Sequence, residues 1–143
     1  MAISADQKVK RLEAIPIFAH ANRRQLEHVA AIADEVDVPK GTVLAKQGER
    51  GLDFFVIEDG KARVVADGQQ MAELGPGDFF GEISLIDGGP RTATVEAAAD
   101  MKLLIVRKPS FDDLMETSAE LRGAVVRALG QRIRELDENA AQH

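Results

Sequence analysis

The chain has 143 residues, 45% of them hydrophobic and 29% charged, the balance of a single soluble globular domain long enough to bury a core. It has no cysteine, which excludes disulfides and thiolate metal sites, and its net charge of −6 argues against nucleic acid as a partner. The N-terminal MAISADQKVKRLEAI lacks the apolar run of a signal peptide, and no stretch is long enough to span a membrane, so the cytoplasm is the expected compartment.

Residues 4–36 read as helical. Ser4 or Asp6 can cap a helix that carries Val9, Leu12 and Ile15 on one face. Pro16 interrupts it. Asn22 then caps a second helix with Leu26, Val29, Ala30 and Ala33 at i, i+3, i+4 and i+7. From residue 36 to about residue 106 the pattern changes to short β-rich runs separated by Gly, Pro and Asp: VDVPKG, TVLAKQG, DFFVIEDG, KARVVADG, MAELGPGD, TATVEA and KLLIV. Turn signals about every 8–12 residues predict an antiparallel sandwich or barrel. Asp59-Gly60 and Asp67-Gly68 read as hairpin turns. After Pro109, Ser110 with Asp113 has the look of a capping box, and a helical region runs to about residue 139. Gly123 and Gly130 weaken that helix without breaking it. Val126, Leu129, Ile133, Leu136 and Ala140 recur at spacings of three and four, an apolar seam in need of a partner.

Residues 80–97, FGEISLIDGGPRTATVEA, concentrate the chemistry. Gly81, Glu82, Arg91, Thr92 and Ala93 fall close together, just after the glycine-rich LGPGD of residues 74–78. A carboxylate and a guanidinium on such a loop can bind a ligand with sugar hydroxyls at one end and a phosphate at the other. Arginine's planar, permanently charged fork suits phosphate. Gly81 lets backbone approach the ligand closely, and Glu82 can accept from a ribose hydroxyl.

The order of these residues resembles the phosphate-binding cassette of the cyclic nucleotide-binding domain family. That family includes the ligand domains of catabolite-activator-type transcription factors, protein kinase regulatory subunits and cyclic-nucleotide-gated channels. Its cassette runs from an apolar residue through Gly-Glu, any residue, a small residue and an aliphatic one, then a short spacer, Arg, a small residue and Ala. Here those are Phe80, Gly81, Glu82, Ile83, Ser84 and Leu85, then Arg91, Thr92 and Ala93, with Val95 and Ala97 also fitting. Upstream, LAKQGERGLDFFVIEDG at residues 44–60 resembles the family's glycine turn, apolar strand and second glycine turn, through Gly48, Gly51, Phe54, Phe55, Val56, Ile57 and Gly60. Ala45 is smaller than the usual aliphatic residue. Leu52 stands where several members place an acidic residue that helps hold the arginine, and Asp53 is its neighbour. The resemblance covers residues 15–136.

The resemblance implies a mainly β fold: a jelly-roll β-barrel with N-terminal helices and a C-terminal lid helix. It would be one domain over residues 1–143, with helices in 1–36, the barrel in 37–107, the cassette at 80–95 and the last helix at 110–139. The implied ligand is a 3′,5′-cyclic nucleotide, cAMP in the first place and cGMP as the alternative, held by Phe80, Gly81, Glu82, Ile83, Ser84, Arg91, Thr92 and Ala93. A threonine directly after the arginine goes with tolerance of guanine in the family, which bears on Thr92. Val64, Ala72 and Leu74 match base-pocket positions, and as apolar strand residues they fit plain core equally well. Arg132 matches an arginine that covers the base in some members, with a solvated helix arginine as the plainer reading. The C-terminal helix would close over the base and carry the output.

A sensor module of this type needs no cofactor, no metal and no catalysis. His20, His28 and His143 lie outside the barrel segment, which argues against a metal-binding cupin. No histidine is near a candidate nucleophile, and Glu82 has no paired acid. The expected partners are the cyclic nucleotide, an effector protein or domain, and a second copy through the C-terminal helix, with no nucleic acid and no membrane span. One alternative is a DNA-binding regulator of the catabolite-activator type. That would need a helix-turn-helix after the long helix, for which the sequence leaves no room. The other is an interaction scaffold with a vestigial pocket.

Overall fold

The computed structural model describes residues 4–141, save for the side chains of Arg132 and of residues 136–141. The side chains of Arg132, Leu136 and Ala140, and His143 as a whole, all singled out above, therefore lie outside the described part. The chain separates into two compact units. One spans residues 32–111. The other joins residues 4–31 to the chain from residue 112 onward.

The helical unit begins with α1 (Ala5–Glu13). Ser4, rather than Asp6, is its cap: Gln7 N–H donates to Ser4 Oγ at 3.1 Å and Ser4 N–H to Gln7 Oε1 at 3.0 Å, a reciprocal capping box. Pro16 starts a short 3-10 turn (Pro16–Phe18). Asn22 and Gln25 make the same reciprocal pair, at 2.9 Å each way, ahead of α2 (Arg23–Ile32). Val9, Leu12, Ile15, Ile17, Phe18, Leu26, Val29 and Ala30 are buried.

The C-terminal helical region is two helices, not one: α4 (Lys108–Thr117) and α5 (Ala119–Ala141). Ser118 divides them, its Oγ accepting from Leu121 N–H at 3.2 Å. Helix α4 starts two residues before Ser110, so Ser110 is not its cap. Pro109 sits in its first turn, where a missing N–H does no harm. Along α5 the buried face is Leu121, Ala124, Val125 and Ala128. The expected seam lies beside it and is open, with Val126 61% and Ile133 60% exposed.

The other unit holds eight strands. They are β1 (Ala33–Val38), β2 (Val43–Ala45), β3 (Asp53–Asp59), β4 (Ala62–Ala66), β5 (Gln69–Leu74), β6 (Phe79–Phe80), β7 (Thr94–Ala97) and β8 (Met101–Arg107), with the short helix α3 (Glu82–Asp87) between β6 and β7. They form two antiparallel four-stranded sheets, ordered β1-β8-β3-β6 and β2-β7-β4-β5. The chain changes sheet at nearly every connection, the jelly-roll arrangement. The sheets face each other as a sandwich and do not close into the expected barrel. Between them lie Ala45, Phe55, Ile57, Ala62, Val95, Ala97, Met101, Leu103 and Ile105.

Three expectations change. Strand β1 begins at Ala33, not residue 37, because its backbone pairs with β8 from Ala33 opposite Val106 to Val38 opposite Met101. Ala33 is therefore a strand residue rather than part of a helix face. Asp67-Gly68 does turn a hairpin, β4 to β5, with φ of 52° and 78°, the two positive values a type I′ turn needs. Asp59-Gly60 does not. It carries the chain from β3 in one sheet to β4 in the other.

Candidate functional site

The two sequence motifs meet in space. Gly48 N–H donates to the Arg91 carbonyl at 2.9 Å, Arg91 N–H to the Glu49 carbonyl at 2.7 Å, and Gly51 N–H to the Gly89 carbonyl at 2.9 Å. Gln47 N–H reaches Thr94 Oγ1 at 3.0 Å. The glycine turn of residues 46–51 is thus laced along the second half of the cassette. Gly51 must be glycine: a Cβ there would lie 2.3 Å from Ser84 Cβ and 2.7 Å from Arg91 Nε.

The first half of the cassette hangs from β6. Phe80 pairs with Phe55 across the sheet, and their rings stack at 4.7 Å and 14°. Phe79 meets Phe54 edge to face at 6.2 Å. Gly81 then takes φ +86°, a conformation that costs a side-chain-bearing residue about 1–3 kcal/mol, and it starts α3. A Cβ on Gly81 would lie 2.3 Å from Arg91 Nη1 and 2.8 Å from the Asp53 carbonyl oxygen. Behind it, Leu85 is 0% exposed and roots the helix, while Glu82 in the first turn is 6% exposed.

Arg91 is half-buried. Its Nη2 donates to the Asp53 backbone carbonyl at 2.5 Å, and its guanidinium lies 6.0 Å from the centre of the Phe55 ring, within cation–π range. Burial lowers its pKa from the ordinary arginine value, and the nearby Asp53 carboxylate pulls the other way. The group stays a cation. Leu52, where some relatives place an acid, is apolar and 54% exposed, so it offers the guanidinium no side-chain partner. Asp53 takes over part of that role through its backbone. Its carboxylate instead faces Arg107 Nη1 at 3.7 Å.

A cavity of about 560 Å³ opens on this surface. Phe80, Gly81, Glu82, Ile83, Ser84, Arg91, Thr92 and Ala93 all line it, as does Val64. Ala45, Phe79 and Val95 extend its apolar wall, and Asp87, Gly89 and Pro90 its rim. Ala72 and Leu74 do not reach it. Ala72 is exposed on β5, and Leu74 packs on the core between the sheets. Val64 does both, touching that core and the cavity. Asp87 and Pro90 escaped the sequence reading, although both lie in the spacer between the two cassette halves. The Asp53 carbonyl escaped it because a backbone oxygen has no residue signature.

The cavity offers one fixed cation, one buried carboxylate, hydroxyls at Ser84 and Thr92, and an apolar wall. That set can receive an anion, a sugar hydroxyl and a flat heterocycle together. No histidine lines it. Among the described residues no group of three or more His, Cys, Asp or Glu could hold a metal ion, and no helix is long and apolar enough to cross a membrane.

Known proteins resemble the chain in sequence and in fold. The family model for the cyclic nucleotide-binding domain matches residues 35–118. A cAMP-dependent protein kinase regulatory subunit of Schizosaccharomyces pombe is 36% identical over 111 residues, 77% of this chain and 27% of the relative. A cyclic nucleotide-gated potassium channel of Rhizobium etli is 39% identical over 109 residues, 76% of this chain and 30% of the relative. The chain thus spans under a third of the length of either. The crystal structure of the N-terminal domain of a transcriptional regulator from Streptomyces coelicolor superposes with a TM-score of 0.81 at 31% identity, covering 90% of this chain and 95% of that one. With the matched segment running from β1 through the cassette into α4, the chain belongs to the cyclic nucleotide-binding domain family.

Proposed function

We propose that this chain binds a 3′,5′-cyclic nucleotide, cAMP in preference to cGMP, and acts as one regulatory sensor module without catalysis of its own. The observation that carries the reading is the convergence of Arg91, Gly81 and Glu82 on one cavity beside an apolar wall. Arg91 takes the cyclic phosphate through its fork. Gly81 gives the sugar-phosphate room, and the first turn of α3, with Ile83 and Ser84, frames it. Glu82 accepts from the ribose 2′-hydroxyl. Thr92 and Ala93 border the ligand, Phe80 backs it, and Val64 meets the base.

The similarity to a cAMP-dependent kinase subunit supports cAMP. Thr92, whose hydroxyl can reach a guanine 2-amino group, supports cGMP as a weaker second ligand. A cavity without histidine supports a site that holds the cyclic phosphate rather than hydrolyses it. Ligand occupancy would be read out by the C-terminal helix, with Arg132 over the base, and passed to an effector protein or domain in the cytoplasm. The exposed Val126 and Ile133 suit a second copy of the chain.

Titration calorimetry with cAMP and with cGMP tests this. Both are expected to bind, cAMP more tightly, and chromatography is expected to recover the nucleotide intact. Binding of neither would overturn the reading. Conversion to the open monophosphate would overturn its non-catalytic part.

A further inference from the structure

Helix α3 has six residues, too few to persist alone, yet it bears the glycine and the carboxylate that face the cavity. Its C-terminal carbonyls are gripped by two cations. Lys108 Nζ donates to the Leu85 carbonyl at 3.0 Å and the Ile86 carbonyl at 3.2 Å. Arg50 Nε donates to the Gly88 carbonyl at 3.2 Å. Gly88 ends the helix at φ +64°, and a Cβ there would lie 3.2 Å from Lys108 Cε, so the lysine stem runs closely past the helix end. Lys108 is fixed in turn, its backbone N–H donating to the Leu52 carbonyl at 2.7 Å. A cation in this place satisfies carbonyls that a helix leaves open and lies at the negative end of its dipole.

We propose that Lys108 is a positioning residue for the ligand: its ammonium anchors the far end of α3 and so fixes where the near end presents Gly81 and Glu82. Lys108 does not line the cavity, so it acts through the helix. Arg50, with one bond, is the lesser anchor. Lys108 is also the first residue of α4, which ties the cassette to the start of the next helix. This inference rests on the proposed ligand site.

Lys108→Met keeps the stem and removes the ammonium. In the free protein, amide hydrogen exchange at residues 85–88 is expected to speed up about 10- to 100-fold, the range for losing hydrogen bonds from a charged donor. Calorimetry is expected to show cAMP affinity falling by a similar factor. Lys108→Arg is expected to restore most of both, and Arg50→Met to show a smaller change in the same direction. Unchanged exchange in Lys108→Met overturns the anchor. Lost affinity without faster exchange does too, as does failure of the arginine to restore either. If Lys108→Met does not fold, Lys108→Gln, which also removes the ammonium, decides the same question by the same two measurements. If the wild-type chain binds neither nucleotide, the ligand reading fails, while exchange in the free protein still decides whether the lysine holds the helix.

Discussion

Arg91 is held by the protein's own groups. The Asp53 carbonyl takes one of its N–H groups, Phe55 lies within cation–π range, and Gly81 and Gly51 sit against it where a Cβ would collide. A fork held this way loses little side-chain entropy on meeting a phosphate. Arg91→Ala is therefore expected to weaken cyclic nucleotide binding by about 2–5 kcal/mol in calorimetry, with the fold intact. Arg91→Lys is expected to lose most of the binding as well, since an ammonium is not a bidentate donor. Unchanged affinity in the alanine variant would sink the cassette assignment. Glu82 differs in what it reads. Wild type is expected to bind 2′-deoxy-cAMP more weakly than cAMP by about 1.5–3 kcal/mol, the worth of a hydrogen bond to a charged group, and Glu82→Gln is expected to narrow the gap. Equal affinity of wild type for both ligands would remove the ribose role. These two side chains were legible in the sequence because both belong to one contiguous stretch whose spacing the backbone preserves. Ala72 was not. It shares a face of β5 with Leu74, and only the fold decides how far along that face the core reaches: Leu74 packs on it and Ala72 is exposed.

Among the elements, α3 does most with least length. Leu85 lies fully buried beneath it but does not line the cavity. Leu85→Ala is expected to cost about 2–5 kcal/mol of stability in denaturant melts, and to weaken cAMP binding although no ligand contact is removed. Unimpaired binding in that variant would mean that the helix position does not matter to the ligand. Helix α5 is the element expected to respond. Amide exchange over residues 124–135 is expected to slow when cAMP is bound, and identical exchange in free and bound protein would assign the output elsewhere. Local pattern exposed most elements: cap residues and apolar stripes marked α1 and α2, and β-rich runs between turn residues marked the strands. It failed where the deciding partner is remote. Asp59-Gly60 has the same turn chemistry whether the chain folds back on its own sheet or crosses to the other. Ala33 fits a helix stripe, but Val106 opposite it makes it strand. On α5 periodicity found the bulkier stripe, whereas the buried one is rich in alanine, which packs closely without standing out in the sequence.

At the scale of the whole molecule, a net charge of −6 coexists with a site for an anion. Distant charges are screened within about 10 Å at ordinary ionic strength, while Arg91 sits on the cavity wall itself. The fold class was legible because turn signals recur at sandwich spacing. The strand order was not, since neighbours in a jelly roll are far apart along the chain. Strand β8 shows what that order entails. It is hydrogen-bonded on both sides, to β1 and to β3, and those two strands do not pair with each other. During synthesis on the ribosome β1 and β3 emerge long before β8 exists, and although β3 can pair with β6 on its other side, the edges that face β8 stay open until residue 107 is out. Folding must wait for that late insertion, as expected of a fold with mostly non-local contacts. A fragment ending at residue 100 is expected to show no cooperative melting by circular dichroism, whereas the full chain does. The nascent chain would thus hold every residue of the cassette, Arg91 and Glu82 included, and still be unable to capture a nucleotide until its eighth strand slid into the gap.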